Sequence, residues 1–140
     1  MFKLSRTVKN ICILRCFSFI GKSIISEKGY FISDLINNRI FNKVNKNVFR
    51  SYLHQYDLIK IVIKIMKYHK GFEFYNLGSE KIFSLKNVYQ ILIKYKKNYS
   101  NNIKFYEGPI DFYVPNIIKL KKKYKIKKFI SLKNFIKNEI

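Results

Sequence analysis

The sequence is poor in the residues from which most metal, disulfide and acid–base sites are built. Its 140 residues include two cysteines, two histidines, eight acidic residues and no tryptophan. Cys12 and Cys16 have only His54 and His69 as possible co-ligands, and these four residues form no zinc-binding spacing. Neither histidine has a carboxylate near it in a catalytic pattern. We therefore predict no metal site, and two small buried thiols in a reducing compartment rather than a disulfide.

Glycine and proline are also scarce, with five and two residues. No glycine-rich turn of the kind that cradles a phosphate is present. Both prolines, Pro109 and Pro115, lie in the segment GPIDFYVPN, which therefore cannot be the interior of a helix. The chain has no internal repeat and no long linker, and its length fits one domain with a usable core.

An apolar run near the N-terminus has some features of a targeting signal. Lys3, Arg6 and Lys9 precede ICILRCFSFIG, which resembles the charged and apolar regions of a signal peptide. However, Arg15 interrupts the run and no small-x-small cleavage pattern follows closely. No stretch approaches the roughly 18 uncharged apolar residues that a membrane helix needs. We expect a cytoplasmic protein without a membrane span, and an organellar presequence is the open alternative.

Positive charge is abundant, with 29 lysines and arginines and a formal net charge of +21. Such a charge suggests nucleic acid or an anionic membrane surface as a partner. The favoured residues Lys, Ile, Asn, Tyr and Phe are also those of A/T-rich codons, so genome composition is a second explanation of the charge. The hydrophobic fraction of 48% excludes a disordered tail. A small basic nucleic-acid-binding or ribosome-associated protein is therefore the alternative function, although no recognisable nucleic-acid motif is present.

Hydrophobic spacing predicts strands that alternate with helices. Residues 10–17, NICILRCF, form a short apolar run that favours a buried strand, and Gly21 ends it. Helical patterns occupy residues 27–40, 57–71, 85–97, 116–126 and 131–140. Extended patterns occupy residues 42–54, 72–77 and 102–108. This order predicts an α/β or α+β fold.

Local capping rules predict where some helices begin and end. Asp57 is expected to open the helix 57–71 and Gly71 to cap its C-terminus. Ser84 and Ser131 are expected to be the N-caps of the helices that follow them. The residues expected to share the inner face of the helix 57–71 are Leu58, Ile61, Ile65 and Met66.

Four separated segments resemble a known family. They are ICILRCFSFIGKS, FRSYLHQYDLIKIVIKIM, FEFYNLGSEKIFSLKNV and FYVPNIIKLKKKYKIKKFISLKNFI. In order and approximate spacing they resemble the C-terminal half of an extended short-chain dehydrogenase of the NAD-dependent nucleotide-sugar epimerase/dehydratase family. The subgroup most similar is often encoded among polysaccharide genes.

The resemblance implies an α/β fold, namely the C-terminal part of a Rossmann-type extended short-chain dehydrogenase with a small mixed substrate lobe. Residues 1–9 would be an N-terminal segment. Residues 10–140 would be a partial domain that comprises the last cofactor-domain strand and the substrate-binding lobe.

The resemblance also implies that the catalytic elements are missing. The family's GxxGxxG turn, which holds NAD, and its catalytic Tyr-x-x-x-Lys pair precede the segment matched here. Tyr124 and Lys128 have this spacing, but they lie in a lysine run where it arises by chance. We therefore expect no catalytic residue, a fragment that is inactive alone, and a separately encoded N-terminal half as a possible partner. The implied cofactor is NAD and the implied ligand is a nucleotide-sugar.

Four residues stand at or near family positions with a binding role, and two of them, Phe17 and Arg50, match the family residue. Phe17 matches a phenylalanine near the nicotinamide side of the cofactor, and Ser18 replaces an asparagine that helps to hold the sugar-nucleotide diphosphate. Arg50 matches the arginine that reaches this diphosphate, and Asp111 is the acid available to the nucleotide. A guanidinium suits this task because it contacts a diphosphate through two parallel hydrogen bonds. The alternative for Arg50 is a plain surface cation.

Overall fold

The computed structural model describes residues 9–25, 29–39, 42–96 and 102–140, and shows an α/β chain. The described α-helices are α1 (Phe31–Ile36), α2 (Gln55–Tyr68), α3 (Leu85–Tyr95), α4 (Ile118–Tyr124) and α5 (Leu132–Glu139). The described strands are β1 (Ile11–Cys16), β2 (Phe19–Ile20), β3 (Lys43–Asn45), β4 (Val48–Ser51), β5 (Leu53–His54), β6 (Phe72–Leu77), β7 (Ile82–Ser84), β8 (Lys104–Tyr106) and β9 (Asp111–Tyr113). The predicted α/β class is confirmed.

The strands form several small sheets, most of them parallel. β1 pairs with β6, β2 with β5 and β3 with β8, each in parallel. β4 is central to a three-stranded sheet, antiparallel to β7 and parallel to β9. The extended segment 42–54 is thus three short strands rather than one, because Asn45 and Asn47 form a turn between β3 and β4 in which Asn45 Oδ1 accepts from the Asn47 N–H at 3.0 Å.

One hydrophobic core lies between the β1–β6 pair and two helices. Tyr75 and Leu77 of β6 are buried against Ile61 and Ile65 of α2, and α4 adds Leu120. Cys12 and Leu14 of β1 pack on the same side. The alternation of buried and exposed residues along β6 follows the predicted strand period of two.

A second core joins the remaining helices to the small sheets. Its most buried members are Leu35 of α1, Val88 and Leu92 of α3, and Phe135 of α5. Ser84 caps α3 with a full capping box, and Ser131 Oγ accepts from the Asn134 N–H at 3.1 Å at the start of α5. Both predicted N-caps are confirmed.

The predicted first residue and the predicted C-cap of α2 are both wrong. The helix begins at Gln55 rather than at Asp57, because His54 is its N-cap and accepts from the Tyr56 N–H through Nδ1 at 3.2 Å. Its C-cap is His69, and Gly71 lies two residues further on, at a φ of +83°, where the chain turns into β6.

Some predicted burial is also wrong. Met66 is 79% exposed, because its side chain lies on the flank of α2 that the core leaves open. Cys16 is exposed and Cys12 half-buried, and both thiols are free. No group of metal-ligating side chains occurs within the described ranges, and no helix there is long and apolar enough to cross a membrane. Residues 1–8 of the predicted N-terminal segment lie outside the described residues.

Candidate functional site

A hollow of about 250 Å³ opens between the start of β2, the segment before α1, and β4. Ser18 and Gly21 line one side, Tyr30 lines a second, and Arg50 and Tyr52 line the β4 side. The Leu53 N–H donates to the Ser18 carbonyl at 3.0 Å, which fixes Ser18 beside the strand that follows Arg50. Two of the predicted binding residues, Ser18 and Arg50, therefore share one hollow although 31 positions separate them in the printed sequence.

Arg50 is held by Asp111 across the β4–β9 pair. Its Nη2 lies 2.6 Å from Asp111 Oδ2 and its Nη1 lies 3.1 Å from Oδ1. Nη1 also donates to the Phe49 carbonyl at 2.9 Å. The Arg50 side chain is 25% exposed, so it is a partly buried and oriented group rather than a freely solvated surface cation.

Tyr113 links Arg50 to Phe17. The guanidinium carbon of Arg50 lies 5.8 Å from the centre of the Tyr113 ring, within the range of a cation–π contact. The Tyr113 and Phe17 rings are 4.5 Å apart and tilted by 31°. The structure thus brings all four predicted site residues into one neighbourhood, although Phe17 and Asp111 do not line the hollow itself.

Of the hydroxyls that line the hollow and have no hydrogen-bond partner among the described residues, two are not exposed. They belong to Ser18, which is half-buried, and to Tyr52, which is 8% exposed. Burial raises the pKa of the Tyr52 hydroxyl well above its usual value, so it stays a hydrogen-bond donor at neutral pH. Both hydroxyls can donate to the oxygen atoms of an anionic ligand.

The electrostatics of the site are set by the ion pair. The hydrogen bond from Arg50 lowers the pKa of the Asp111 carboxyl, so Asp111 is ionised throughout the neutral range. The positive charge of Arg50 lowers the pKa of the Tyr52 hydroxyl, but burial raises this pKa by more. The arrangement can bind an anion through a guanidinium and hydroxyl donors, and no acid–base pair lines the hollow among the residues that the structure describes.

A close approach at Gly78 fixes the strands beneath the site. A Cβ added at Gly78 would lie 2.5 Å from Pro115 Cγ and 3.2 Å from Phe17 Cβ, so a larger residue would push these segments apart. The Phe17 N–H donates to the Leu77 carbonyl at 2.9 Å at the same point. Gly78 therefore lets the end of β6 pack directly beneath Phe17.

Sequence reasoning missed Tyr113, Tyr52 and a buried histidine. Tyr113 stands opposite Arg50 in the β4–β9 register, which only the strand pairing shows. His54 is fully buried, and its Nε2 lies 2.8 Å from Glu139 Oε1. The carboxylate partner of this histidine is therefore 85 positions away in the sequence. Local spacing gave no signal for either contact.

Tyr124 does not line the hollow. It is buried in the core under the β1–β6 pair and its hydroxyl lies 3.0 Å from His69 Nδ1. Its ring packs edge-on against Tyr75 at 5.5 Å. The interpretation of Tyr124 and Lys128 as a chance spacing stays a prediction.

The described residues do not provide a site for NAD. A dinucleotide pyrophosphate is usually held by a glycine-rich turn at a helix N-terminus. The helix that follows β1 is a single short turn, Lys22–Ile24, and Gly21 before it faces the side chain of Gln55. Phe17 is the one described residue with a predicted cofactor contact, and we derive no reaction step through NAD.

Comparison with known proteins gives matches in structure and none in sequence. No protein-family model matches the chain, and no curated protein sequence matches it. A UDP-glucose 4-epimerase from Thermotoga maritima, solved with UDP-glucose, matches with a TM-score of 0.74 and 13% identity, over 91% of this chain and 44% of its own. A UDP-glucuronic acid 4-epimerase from Bacillus cereus, solved with a fluorinated UDP-glucuronic acid and NAD, matches with a TM-score of 0.73 and 17% identity, over 93% and 44%.

A third match is a UDP-glucose 4-epimerase from Bifidobacterium longum in complex with NAD+ and UDP. Its TM-score is 0.67 and its identity 18%, over 91% of this chain and 45% of its own. The fold is therefore that of Rossmann-type extended short-chain epimerases and dehydratases, as the sequence resemblance implied. The chain spans about half the length of each of these solved structures.

Proposed function

We propose that this chain is the substrate-binding half of an NAD-dependent nucleotide-sugar epimerase or dehydratase, a fragment that supplies nucleotide-sugar binding. The observation that supports it best is the shared hollow of Arg50 and Ser18. A diphosphate placed there would meet the Arg50 guanidinium and the Ser18 hydroxyl, both of which are suited to phosphate oxygens. Asp111 would contribute by holding the guanidinium in place, and Phe17 would lie towards the cofactor.

The chemistry of such an enzyme depends on groups outside this chain. NAD, when bound, would exchange a hydride with the sugar, and its main binding motif would come from a separately encoded N-terminal half. The residues described here would bind and orient the nucleotide-sugar. We therefore expect a cytoplasmic protein of polysaccharide biosynthesis that has no turnover alone. Measurable conversion of a nucleotide-sugar by the purified 140-residue chain would refute this inactivity.

UDP binding tests the proposal, because UDP contains the diphosphate without the sugar. Calorimetry should show that UDP binds the chain and that uridine binds far more weakly. Arg50→Lys keeps the charge but removes the paired donors, and it should weaken UDP binding by about 10-fold or more, since a hydrogen bond to a charged group contributes about 1.5–3 kcal/mol.

A control separates this site from general attraction to a basic protein. Arg15 is exposed on β1 and does not line the hollow, so Arg15→Lys should leave UDP binding unchanged. Equal binding of UDP and uridine, or equal effects of Arg15→Lys and Arg50→Lys, would show that the hollow does not recognise a diphosphate.

A further inference from the structure

One face of the β1–β6 pair is left uncovered by the described residues. In the register Ile11 stands beside Phe72 and Ile13 beside Phe74, on the face opposite the core under α2 and α4. Phe72 is 44% exposed and Phe74 41%, with their rings 5.1 Å apart. Parallel strands in proteins are normally covered on both faces, because their connections place helices on each side. Within the described ranges, this face therefore lacks a covering layer.

The outer edge of β1 is also open. The Ile11 N–H donates to the Gly71 carbonyl at 2.8 Å, so the odd-numbered residues of β1 bond to β6. By the alternation of a parallel ladder, the peptide groups of Cys12, Leu14 and Cys16 point to the other edge. No strand within the described ranges pairs there.

The outer edge of β6 differs, because the chain already covers it. Asn76 Nδ2 donates to the Asn116 carbonyl at 3.1 Å, and Lys119 Nζ donates to the Phe74 carbonyl at 3.3 Å. α4 packs over this strand. Any added strand must therefore join at β1.

Exposed apolar residues also follow one flank of α2. Ile59, Ile63 and Met66 have helical spacing and exposed fractions of 51%, 58% and 79%. The other flank carries Lys60 and Lys64, which line a hollow together with the segment that follows α4. Because α4 contacts both α2 and β6, we infer that the apolar flank faces away from α4, beyond β1.

We propose that these three features form one docking surface for a complementary α/β polypeptide. The surface consists of the β1 edge, the face of Ile11, Ile13, Phe72 and Phe74, and the α2 flank of Ile59, Ile63 and Met66. The partner adds a strand parallel to β1, lays one helix on the exposed face and packs another against α2. The choice of partner rests on the proposed function.

Two observations favour a complementary half over a second copy of this chain. The solved structures with this fold are about twice as long, and in each about 55% of the chain lies outside the match, which is enough for such a half. The net charge of +21 opposes self-association and favours a partner with acidic residues. A separate α/β half therefore fits both the shape and the charge.

The test uses a polypeptide from the same genome that carries GxxGxxG and Tyr-x-x-x-Lys and lacks the four segments found here. It is mixed with the full chain, and hydrogen exchange is measured at single-residue resolution. The amides of Cys12, Leu14 and Cys16 should exchange at least 10-fold more slowly in the mixture. Amides of β9, on another sheet, should not change.

Exposed residues provide variants that leave the fold intact. Ile63→Lys and Phe74→Lys should each weaken the association at least 10-fold. Ile110→Lys is the matched control, because Ile110 is 76% exposed and lies outside the surface. Equal binding by all three variants would overturn the proposal.

Other outcomes also decide the question. The proposal would be overturned if the genome had no such reading frame or if the complementary half did not bind. It would also be overturned if protection of the β1 amides rose with the concentration of this chain alone, because the occupant would then be a second copy. UDP binding is measured on the same samples. Assembly without UDP binding would refute the proposed function only, whereas UDP binding without assembly would refute the docking surface only.

Discussion

Arg50 and Asp111 form a two-pronged ion pair across β4 and β9, with nitrogen–oxygen distances of 2.6 and 3.1 Å. Both residues were predicted from the sequence as ligands of a nucleotide-sugar, and the structure shows them bound to each other. The pair leaves the Arg50 Nε–H and one Nη2 hydrogen without a partner among the described residues. A diphosphate can therefore reach Arg50 while Asp111 keeps the guanidinium plane in place.

This geometry predicts that Asp111 acts on UDP through Arg50. Asp111→Ala should weaken UDP binding a few-fold, because the guanidinium loses its fixed orientation. In the Arg50→Lys background the same change should have little further effect, since residues that act as a unit are not additive. Calorimetry on the four proteins of the cycle measures both effects.

The matched control for this cycle is Glu107→Ala. Glu107 is exposed and pairs with Lys46 rather than with Arg50, so UDP binding should not change. Tighter UDP binding by Asp111→Ala would show that the carboxylate competes with the ligand instead of positioning Arg50.

The buried contact between His54 and Glu139 predicts a loss of stability on mutation. Because His54 Nδ1 accepts from Tyr56, its Nε2 carries the hydrogen and donates to Glu139 at 2.8 Å. His54→Ala removes the N-cap of α2 and the tie to α5, and should lower the free energy of unfolding by about 2–4 kcal/mol. His54→Asn can still cap the helix and should lose about 1 kcal/mol less. Urea unfolding measures the differences.

Glu139 tests the hydrogen bond in this contact. Glu139→Gln keeps an oxygen that accepts from His54 Nε2–H, so it should be nearly as stable as the original chain. Glu139→Ala removes the acceptor and should be clearly less stable. Equal losses for the two variants would show that this hydrogen bond does not stabilise the chain.

The carboxylates predict a loss of stability in acid. Hydrogen bonds from Lys119 to Glu73 and from Arg50 to Asp111 lower the pKa of both carboxyls below their ordinary values. The unfolded chain therefore binds protons first as the pH falls. Their contribution is complete above the unfolded pKa of about 4 and disappears as the pH falls through the folded pKa. The urea midpoint should drop between pH 5 and pH 3.

Glu73→Gln checks the cause of this acid dependence. The variant cannot take up the extra proton on unfolding, so its midpoint should fall less between pH 5 and pH 3. A midpoint that is unchanged by acid in the original chain would contradict the prediction.

Local rules predicted much of the fold. The strand β1, the helical pattern of α2 and α3, and the serine caps at Ser84 and Ser131 depend on residues within a few positions of one another. The first residue of α2 was harder to predict, because His54 and Asp57 are both possible N-caps and the helix uses His54. Asp57 is instead buried in the first turn, where its Oδ2 accepts from the Ile130 N–H at 2.5 Å, 73 residues away.

The site was predictable only through resemblance. Only four of the 29 basic residues are arginines, and the family pattern supplied the predicted ligand of Arg50. The distance from Arg50 to Tyr113, and the choice of Asp111 as its counter-ion, follow from the pairing of β4 with β9. Such pairing joins residues about 60 positions apart, and no periodicity in the sequence specifies it.

The lysine-lined hollow beside α2 affects how any binding experiment on this protein is prepared. Lys60, Lys64, Lys125, Lys127 and Lys128 surround about 280 Å³ of space, and the one acid that lines it, Asp57, is buried. Multivalent buffer anions such as phosphate or sulfate will collect there and relieve the crowding of positive charge. Thermal stability will then rise with buffer phosphate in the original chain and in Arg50→Lys alike. A monovalent buffer at fixed ionic strength is therefore the appropriate medium in which to look for a diphosphate ligand.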